Sequence, residues 1–215
     1  MRQPVNVALF DYWNALRGDQ PLPARTDVDP GHISSLLDKV FLIGLEPDGM
    51  ITYRLAGSTL AMLFGGDLRN RDLLGPWSPA EGQRIAALVR DTARDHEAGL
   101  IEFEGLNGAG DPVPFEMIVL PLARHDGADR WIGAIVPEQT IDWRAFGSIQ
   151  SCRLVRRSFL VPQRARKFAK PVPLRPHHLP RAVPTVVPAK RQPSRPSLRV
   201  LDGGRSWQPP EGERT

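Results

Sequence analysis

The sequence has almost no cysteine and no long apolar run, and both absences restrict the class of protein. Cys152 is the only cysteine among 215 residues, so no disulfide can form within the chain. A single free thiol is typical of a reducing compartment. Nowhere do about 18 apolar residues follow one another, as a membrane-spanning helix requires, and the N-terminus lacks the apolar core of a signal peptide. The sequence therefore predicts a cytoplasmic protein with no transmembrane segment.

Motifs that carry enzyme chemistry are also missing. No His or Cys spacing predicts a metal site, and the chain contains neither a Gly-x-Ser-x-Gly nucleophile motif nor a glycine-rich phosphate loop. A metabolite-modifying enzyme would need ionisable groups that converge in a pocket, and the sequence shows none. We therefore expect no enzymatic activity, no catalytic residues and no metal, and the sequence identifies no cofactor.

Charge divides the chain into an acidic body and a basic tail. The net charge is only +4, but residues 1–150 carry 13 Lys and Arg against 21 Asp and Glu, a net charge of −8. Residues 151–215 carry 15 basic residues against 3 acidic ones, a net charge of +12. The basic character of the protein therefore belongs to its C-terminal part.

Residues 1–39 are predicted to form an N-terminal helical cap. Leu9, Trp13 and Leu16 recur at helical spacing, and Phe10 lies beside them. This stripe either packs on its own domain or forms a surface for a dimer or another partner, because two large aromatic residues exceed what a lone surface helix requires. The four residues are therefore the candidate interface.

Two apolar runs around a turn predict a hairpin over residues 41–56. Residues 47–50 read Pro-Asp-Gly-Met, and Pro followed by Asp-Gly favours a tight reversal. Alternation places Tyr53 and Leu55 on one face of the second strand. Arg54 is then expected on the opposite face, either solvated or paired with an acidic side chain.

The end of the hairpin and the segment after it resemble a known family. Residues 54–65 read R-L-A-G-S-T-L-A-M-L-F-G, and residues 68–71 read L-R-N-R. They resemble small bacterial PAS (Per-Arnt-Sim) proteins, in which R-L-A-G-T-x-L-x-x-L-F-G is followed by L-x-G-R. Asn70 stands where that family more often has glycine.

The resemblance implies an α+β fold with a PAS-like five-stranded antiparallel sheet and helices on one face. This PAS domain is expected over residues 40–138. Ser78 to Glu81 form a capping box that predicts the start of its longest helix. After the sheet, the helical spacing of Trp143 and Phe146 predicts a C-terminal helix within residues 139–161.

PAS domains commonly enclose a cavity between the sheet and the helices, and the resemblance implies one here. Its candidate lining either borders a small hydrophobic ligand or simply fills the core, and Tyr53 offers a hydroxyl for orientation. The candidate pocket residues are Phe41, Tyr53, Leu63, Phe64, Leu74, Phe103 and Phe115.

Cofactors of two PAS relatives are not favoured. Photoreceptors of this fold use a cysteine to bind flavin, but the matching position is Arg71. Haem sensors take an iron ligand from the long helix, and the only histidine there is His96, in its last turn. Histidines at helix ends usually interact with the helix dipole and water.

Residues 162–215 are rich in proline and basic residues and show no apolar period, which predicts a disordered, polyproline-like tail. Such a tail binds nucleic acid, binds an acidic membrane surface, or remains a solvated linker that folds back on the acidic body. Arg153, Arg156 and Arg157, with a second basic cluster near Arg164, are its candidate contacts.

These inferences favour a non-catalytic PAS sensor of bacterial signal transduction that acts through protein–protein interaction or homodimerisation, with or without a ligand in the cavity. Binding would shift the population of two arrangements of the terminal segments. The alternative is a nucleic-acid-associated regulator that binds through its basic tail. The sequence does not identify the ligand, the partner or the oligomeric state.

Overall fold

The computed structural model describes residues 1–125 and 128–160, except for the side chains of His125 and Trp143. The predicted basic tail, residues 162–215, lies outside the described residues. The helices are α1 (Pro4–Arg17), α2 (Ser58–Leu63), α3 (Pro79–Asp95) and α4 (Trp143–Phe146), with short 3-10 helices at Arg25–Asp27 and Pro30–Ile33. The strands are β1 (Val40–Leu45), β2 (Ile51–Ala56), β3 (Ala98–Leu106), β4 (Pro112–His125), β5 (Ala128–Pro137) and β6 (Ser151–Leu160).

The strands form one antiparallel sheet in the order β2-β1-β5-β4-β3-β6. Two strands, the helices α2 and α3, and three further strands follow one another along the chain, as predicted. The α+β class and the antiparallel PAS-like sheet are therefore confirmed. The sheet has six strands in the described part of the chain instead of the five expected.

The sixth strand corrects the prediction of a C-terminal helix over residues 139–161. Only Trp143–Phe146 is helical, and the chain then pairs with β3 along the whole of β6. Helical spacing of apolar residues misled the prediction, because the residues that stabilise the strand are distant in sequence. Arg153, for example, forms an ion pair with Glu104, which lies 49 residues earlier.

Buried apolar side chains form one cluster on each face of the sheet. The inner cluster lies under α2 and α3, and the outer cluster lies between the sheet and α1. The helices α2 and α3 lie on one face, as expected, and the N-terminal helix covers the opposite face of β4 and β5. The cap packs there because the sheet has two apolar faces: Ile118 and Ile132 point to the outer face.

A bulge in the first hairpin changes the predicted faces of β2. The register shifts so that Leu55 is opposite Leu42 and Tyr53 is opposite Ile43, which leaves Arg54 as the extra residue. Leu55 consequently leaves the face of Tyr53, and 52% of it is exposed. Arg54 forms an ion pair with Glu46, so the paired alternative holds.

Two local features stand at the ends of the helical region, and the second confirms a prediction. Asn70 adopts the left-handed conformation, with φ of 61°. Asparagine and glycine tolerate positive φ best, which fits the glycine that the PAS proteins resembling this segment more often have at this position. Ser78 caps α3 by accepting a hydrogen bond from the backbone N–H of Glu81 at 3.4 Å.

Candidate functional site: the two faces of the sheet

The inner face brings the predicted pocket residues together. Phe64 and Leu74 are half-buried at the border of the cluster, and the other five are buried within it. The seven predicted pocket residues, all in or against the inner cluster, are Phe41, Tyr53, Leu63, Phe64, Leu74, Phe103 and Phe115.

Aromatic rings pack directly against one another in this cluster. Phe103 and Phe115 stack with their ring centroids 5.2 Å apart, and Trp77 lies 5.1 Å from Phe103. Phe41 and Tyr53 meet edge to face at 5.8 Å. These separations are those of close-packed aromatic pairs, so the rings make contact with each other across the inner face.

Polar groups on the inner face are few and deeply buried. Trp131 on β5 donates from Nε1 to the hydroxyl of Thr92 on α3 at 3.0 Å, and that hydroxyl donates to the carbonyl oxygen of Val89. Burial raises the pKa of the Tyr53 hydroxyl, and it raises the pKa of the Cys152 thiol to about 12. Neither group is therefore ionised near neutral pH.

A cleft of about 490 Å³ lies on the surface beside this cluster. It runs along the first half of α3, and Arg90 at one end donates to the carbonyl oxygen of Gly49 in the hairpin turn at 3.0 Å. Leu74 is the one predicted pocket residue in its wall. The lining residues are Leu74, Trp77, Ser78, Pro79, Gly82, Gln83, Ala86 and Arg90.

On the outer face, two of the four predicted interface residues are buried and two are half-buried. Leu9 and Trp13 are buried between α1 and the sheet, and Trp13 donates from Nε1 to the carbonyl oxygen of Pro121 at 2.7 Å. Phe10 and Leu16 are half-buried. In the described part of the chain, Leu9 and Trp13 therefore pack within their own domain, which was the first of the two alternatives.

Glu116 is the polar residue that the sequence analysis missed. It lies on β4, it is 0% exposed, and its carboxylate accepts hydrogen bonds from the backbone N–H groups of Arg2 and Gln3 at 2.8 and 3.1 Å. Asn6 adds a third bond from Nδ2 at 2.9 Å. A carboxylate from the sheet thus caps the N-terminus of α1, where negative charge is favourable. A single acidic residue within the apolar run of β4 was the available signal.

The basic residues at the start of the C-terminal part are partly neutralised. Arg153 binds Glu104, and Arg156 binds Glu102, across the β3–β6 pairing on the outer face. Both arginines are exposed, and their ion pairs lie side by side along the strand. Arg157 differs, because its guanidinium donates to the carbonyl oxygen of Arg84.

Within residues 1–125 and 128–160, no group of three or more His, Cys, Asp or Glu side chains is arranged to hold a metal ion. In the same part of the chain, no helix has the length and apolar character needed to span a membrane.

The fold and its two packed faces define an α+β domain built on one antiparallel sheet. The family described as "PAS domain" matches residues 1–136, which is more than half of the sequence. The chain therefore belongs to the PAS domain family.

Solved structures of low sequence identity resemble it. The PAS domain of a protein from Colwellia psychrerythraea is 13% identical, with a TM-score of 0.37, over 48% of this chain and 92% of that one. The structure of a point variant of RsLOV is also 13% identical, with a TM-score of 0.38, over 54% of this chain and 72% of that one. A search among curated proteins found no match.

Proposed function

We propose that this PAS protein is a non-catalytic regulator of bacterial signal transduction that acts through contacts with another protein or with a second copy of itself. The observation that carries the proposal is the packing of the inner face. Phe103 and Phe115, two of the expected pocket residues, stack on each other, and Trp77 packs against Phe103, which supports an inner face occupied by side chains. The surfaces of the domain, and not a reacting group inside it, are then the parts available for function.

The N-terminal helix is the element through which such contacts act. It crosses the outer face. Trp13 is buried there and bonds to Pro121, and Glu116 on β4 caps the N-terminus of the helix. A partner that binds better when α1 is displaced would shift the population toward that arrangement. Half-buried Phe10 and Leu16 lie at the edge of this contact, where a partner reaches them without unfolding the domain.

Reconstitution from purified proteins tests the proposal. The full chain, isolated from the cells that produce it, is resolved by size-exclusion chromatography with light scattering, and each component is then purified and recombined. We expect a homodimer, or a complex of fixed stoichiometry that re-forms from its purified components. A chain that stays monomeric at all concentrations, with no protein recombining with it, contradicts the proposal.

Binding of nucleic acid by the tail is the second candidate, favoured by the net charge of +12 in residues 151–215. The ion pairs of Arg153 and Arg156 reduce the charge that the described part contributes. Such binding must therefore depend on residues 162–215 and weaken steeply with salt. DNA affinity at low salt that survives deletion of those residues counts against this candidate.

A further inference from the structure

The two edges of the sheet differ in how their backbone groups are satisfied. The edge of the sheet at β2 is bordered by residues 70–73. The N–H of Tyr53 donates to the carbonyl oxygen of Arg71 at 3.0 Å, and the N–H of Leu73 donates to the carbonyl oxygen of Ile51 at 2.8 Å. Residues 51–53 of this edge are therefore closed to another strand.

The first half of the β6 edge is also closed. The N–H of Cys152 donates to the carbonyl oxygen of Pro76 at 2.7 Å, and the N–H of Leu154 donates to the carboxylate of Glu81 at 2.9 Å. The bond from the Ser78 hydroxyl and that from Leu154 lower the pKa of Glu81, so the carboxylate stays ionised. The loop before α3 and the first turn of the helix thus replace a neighbouring strand.

The second half of β6, residues 156–160, is different. Among the described residues, no backbone group outside β3 hydrogen-bonds to its main chain. An antiparallel strand directs its N–H and C=O groups alternately to either side, so alternate residues of this segment present them away from β3. This segment is an open edge in the part of the chain that the structure describes.

Side chains along this edge combine apolar and positive character. Val155 is 60% exposed and Phe159 is 39% exposed. Arg157 lies between them along the strand, and its guanidinium donates to the backbone carbonyl oxygen of Arg84 on α3. The positive charge of Arg84 acts on the carboxylate of Glu81, at the closed half of the edge. Among the described residues Arg157 forms no ion pair, so the open half of the edge offers backbone hydrogen bonds, apolar contacts and a positive side chain together.

We infer that residues 155–160 are a docking site for an extended acidic segment of a partner protein, which adds a strand to the sheet beside β6. The inference rests on the proposed function and names the surface that it uses. Main-chain hydrogen bonds provide the affinity in this mode of binding, and alternating side chains provide the selectivity. Acidic residues of the segment bind Arg157, and its apolar residues contact Val155 and Phe159.

Charge complementarity selects this occupant over two others. Two copies of the chain, pairing their β6 edges around a two-fold axis, would bring Arg156 and Arg157 of each copy close to those of the other. Residues 161–215 of the same chain carry 12 basic residues against 3 acidic ones, so they repel this edge as well. An acidic segment from another protein is the occupant that the charges favour.

Synthetic peptides test the inference with the full-length protein. The probe is a labelled eight-residue peptide that alternates Glu and Val, and its affinity is measured by fluorescence anisotropy. One control peptide has Lys in place of Glu, and another has N-methyl groups on alternate residues, which remove backbone donors. We expect each control to bind at least about 10-fold more weakly than the probe.

Protein variants and hydrogen exchange locate the site. Arg157→Glu should weaken binding of the Glu-Val peptide by about 10-fold, whereas Arg69→Glu, at the opposite edge of the sheet, should change it less than about 2-fold. The amides within residues 156–160 that point away from β3 should exchange faster than those of β4 in the free protein and become protected when the peptide binds.

Several results would overturn the inference. If the N-methylated peptide binds as tightly as the Glu-Val peptide, strand addition is excluded. This comparison needs no variant of the protein. Suppose instead that the amides of residues 156–160 that point away from β3 are protected before the peptide is added. That result would show that the chain or a second copy already covers the edge. Purified complexes that form equally well with Arg157→Glu would refute this surface while leaving the proposed function intact.

Discussion

Replacing Glu116 by glutamine tests the link between the sheet and the N-terminal helix. The substitution conserves side-chain volume, so it opens no cavity. It removes the charge that accepts three hydrogen bonds, two from the backbone of Arg2 and Gln3 and one from Asn6. Hydrogen bonds to charged groups contribute about 1.5–3 kcal/mol each, and loss of a helix N-cap costs about 1 kcal/mol. One amide oxygen still accepts a bond, so we expect a loss of about 3 kcal/mol in the free energy of unfolding.

Urea denaturation, followed by tryptophan fluorescence, measures this loss. Glu104→Gln is the matched control, because Glu104 pairs with the exposed Arg153 on the neighbouring strand and should contribute less than about 1 kcal/mol. Hydrogen exchange should show that α1 loses protection in the Glu116→Gln variant before the strands do. Equal midpoints for the two variants, with α1 still protected, would refute the assignment of Glu116 as the cap.

Three further substitutions give distinct results. Trp13→Glu should detach α1 from the sheet and lower the melting temperature, because it places a charge in the buried contact and removes the hydrogen bond to the carbonyl oxygen of Pro121; circular dichroism measures the melting temperature, and an unchanged value would contradict this packing. Gly133→Ala should cost about 2 kcal/mol or more by thermal melting, since a methyl group there would clash with the ring of Phe41, and an unchanged melting temperature would contradict that packing. The folded state holds the proton of Cys152, whose pKa is raised from 9.0 to about 12, while the unfolded state releases it; stability should therefore fall as pH rises from about 9 to about 12. Urea titrations across that range should show a smaller slope for Cys152→Ala, and identical slopes would contradict the burial of the thiol.

Local sequence signals predicted the parts of the fold that depend on neighbouring residues. The turn at residues 47–50 and the capping box at Ser78 each follow from the conformational preferences of a few adjacent residues. The antiparallel sheet followed from the resemblance to the family. These signals were sufficient for the class of fold and for most of the sheet.

The remaining features depend on residues that are distant in sequence. β6 is stabilised by carboxylates of β3 that lie 49 and 54 residues earlier in the sequence. The spacing of the apolar residues in this segment, which predicted a helix, contains no information about those partners. Glu116 has its partners more than 100 residues away, and one extra residue at Arg54 moves Leu55 to the other face. Periodicity reports which residues are apolar, but it does not report which distant groups they meet.

The predicted pocket shows the same limitation in the candidate site. Aromatic residues such as Phe103 and Phe115, at alternating positions of their strands, are equally consistent with a ligand cavity and with a filled core. Their stacking at 5.2 Å depends on the register of β3 with β4, in which the two residues are directly opposite. Register is a tertiary property, so the sequence left both alternatives open.

We propose that the chain's own side chains fill the inner face and that the protein acts through its surfaces. Native mass spectrometry of the full chain, purified without denaturation, distinguishes a filled inner face from one that holds a ligand. We predict the mass of the polypeptide, of its dimer or of a complex with another protein, with no small molecule retained. A small molecule that remains bound in a one-to-one ratio and is released only on unfolding would contradict it.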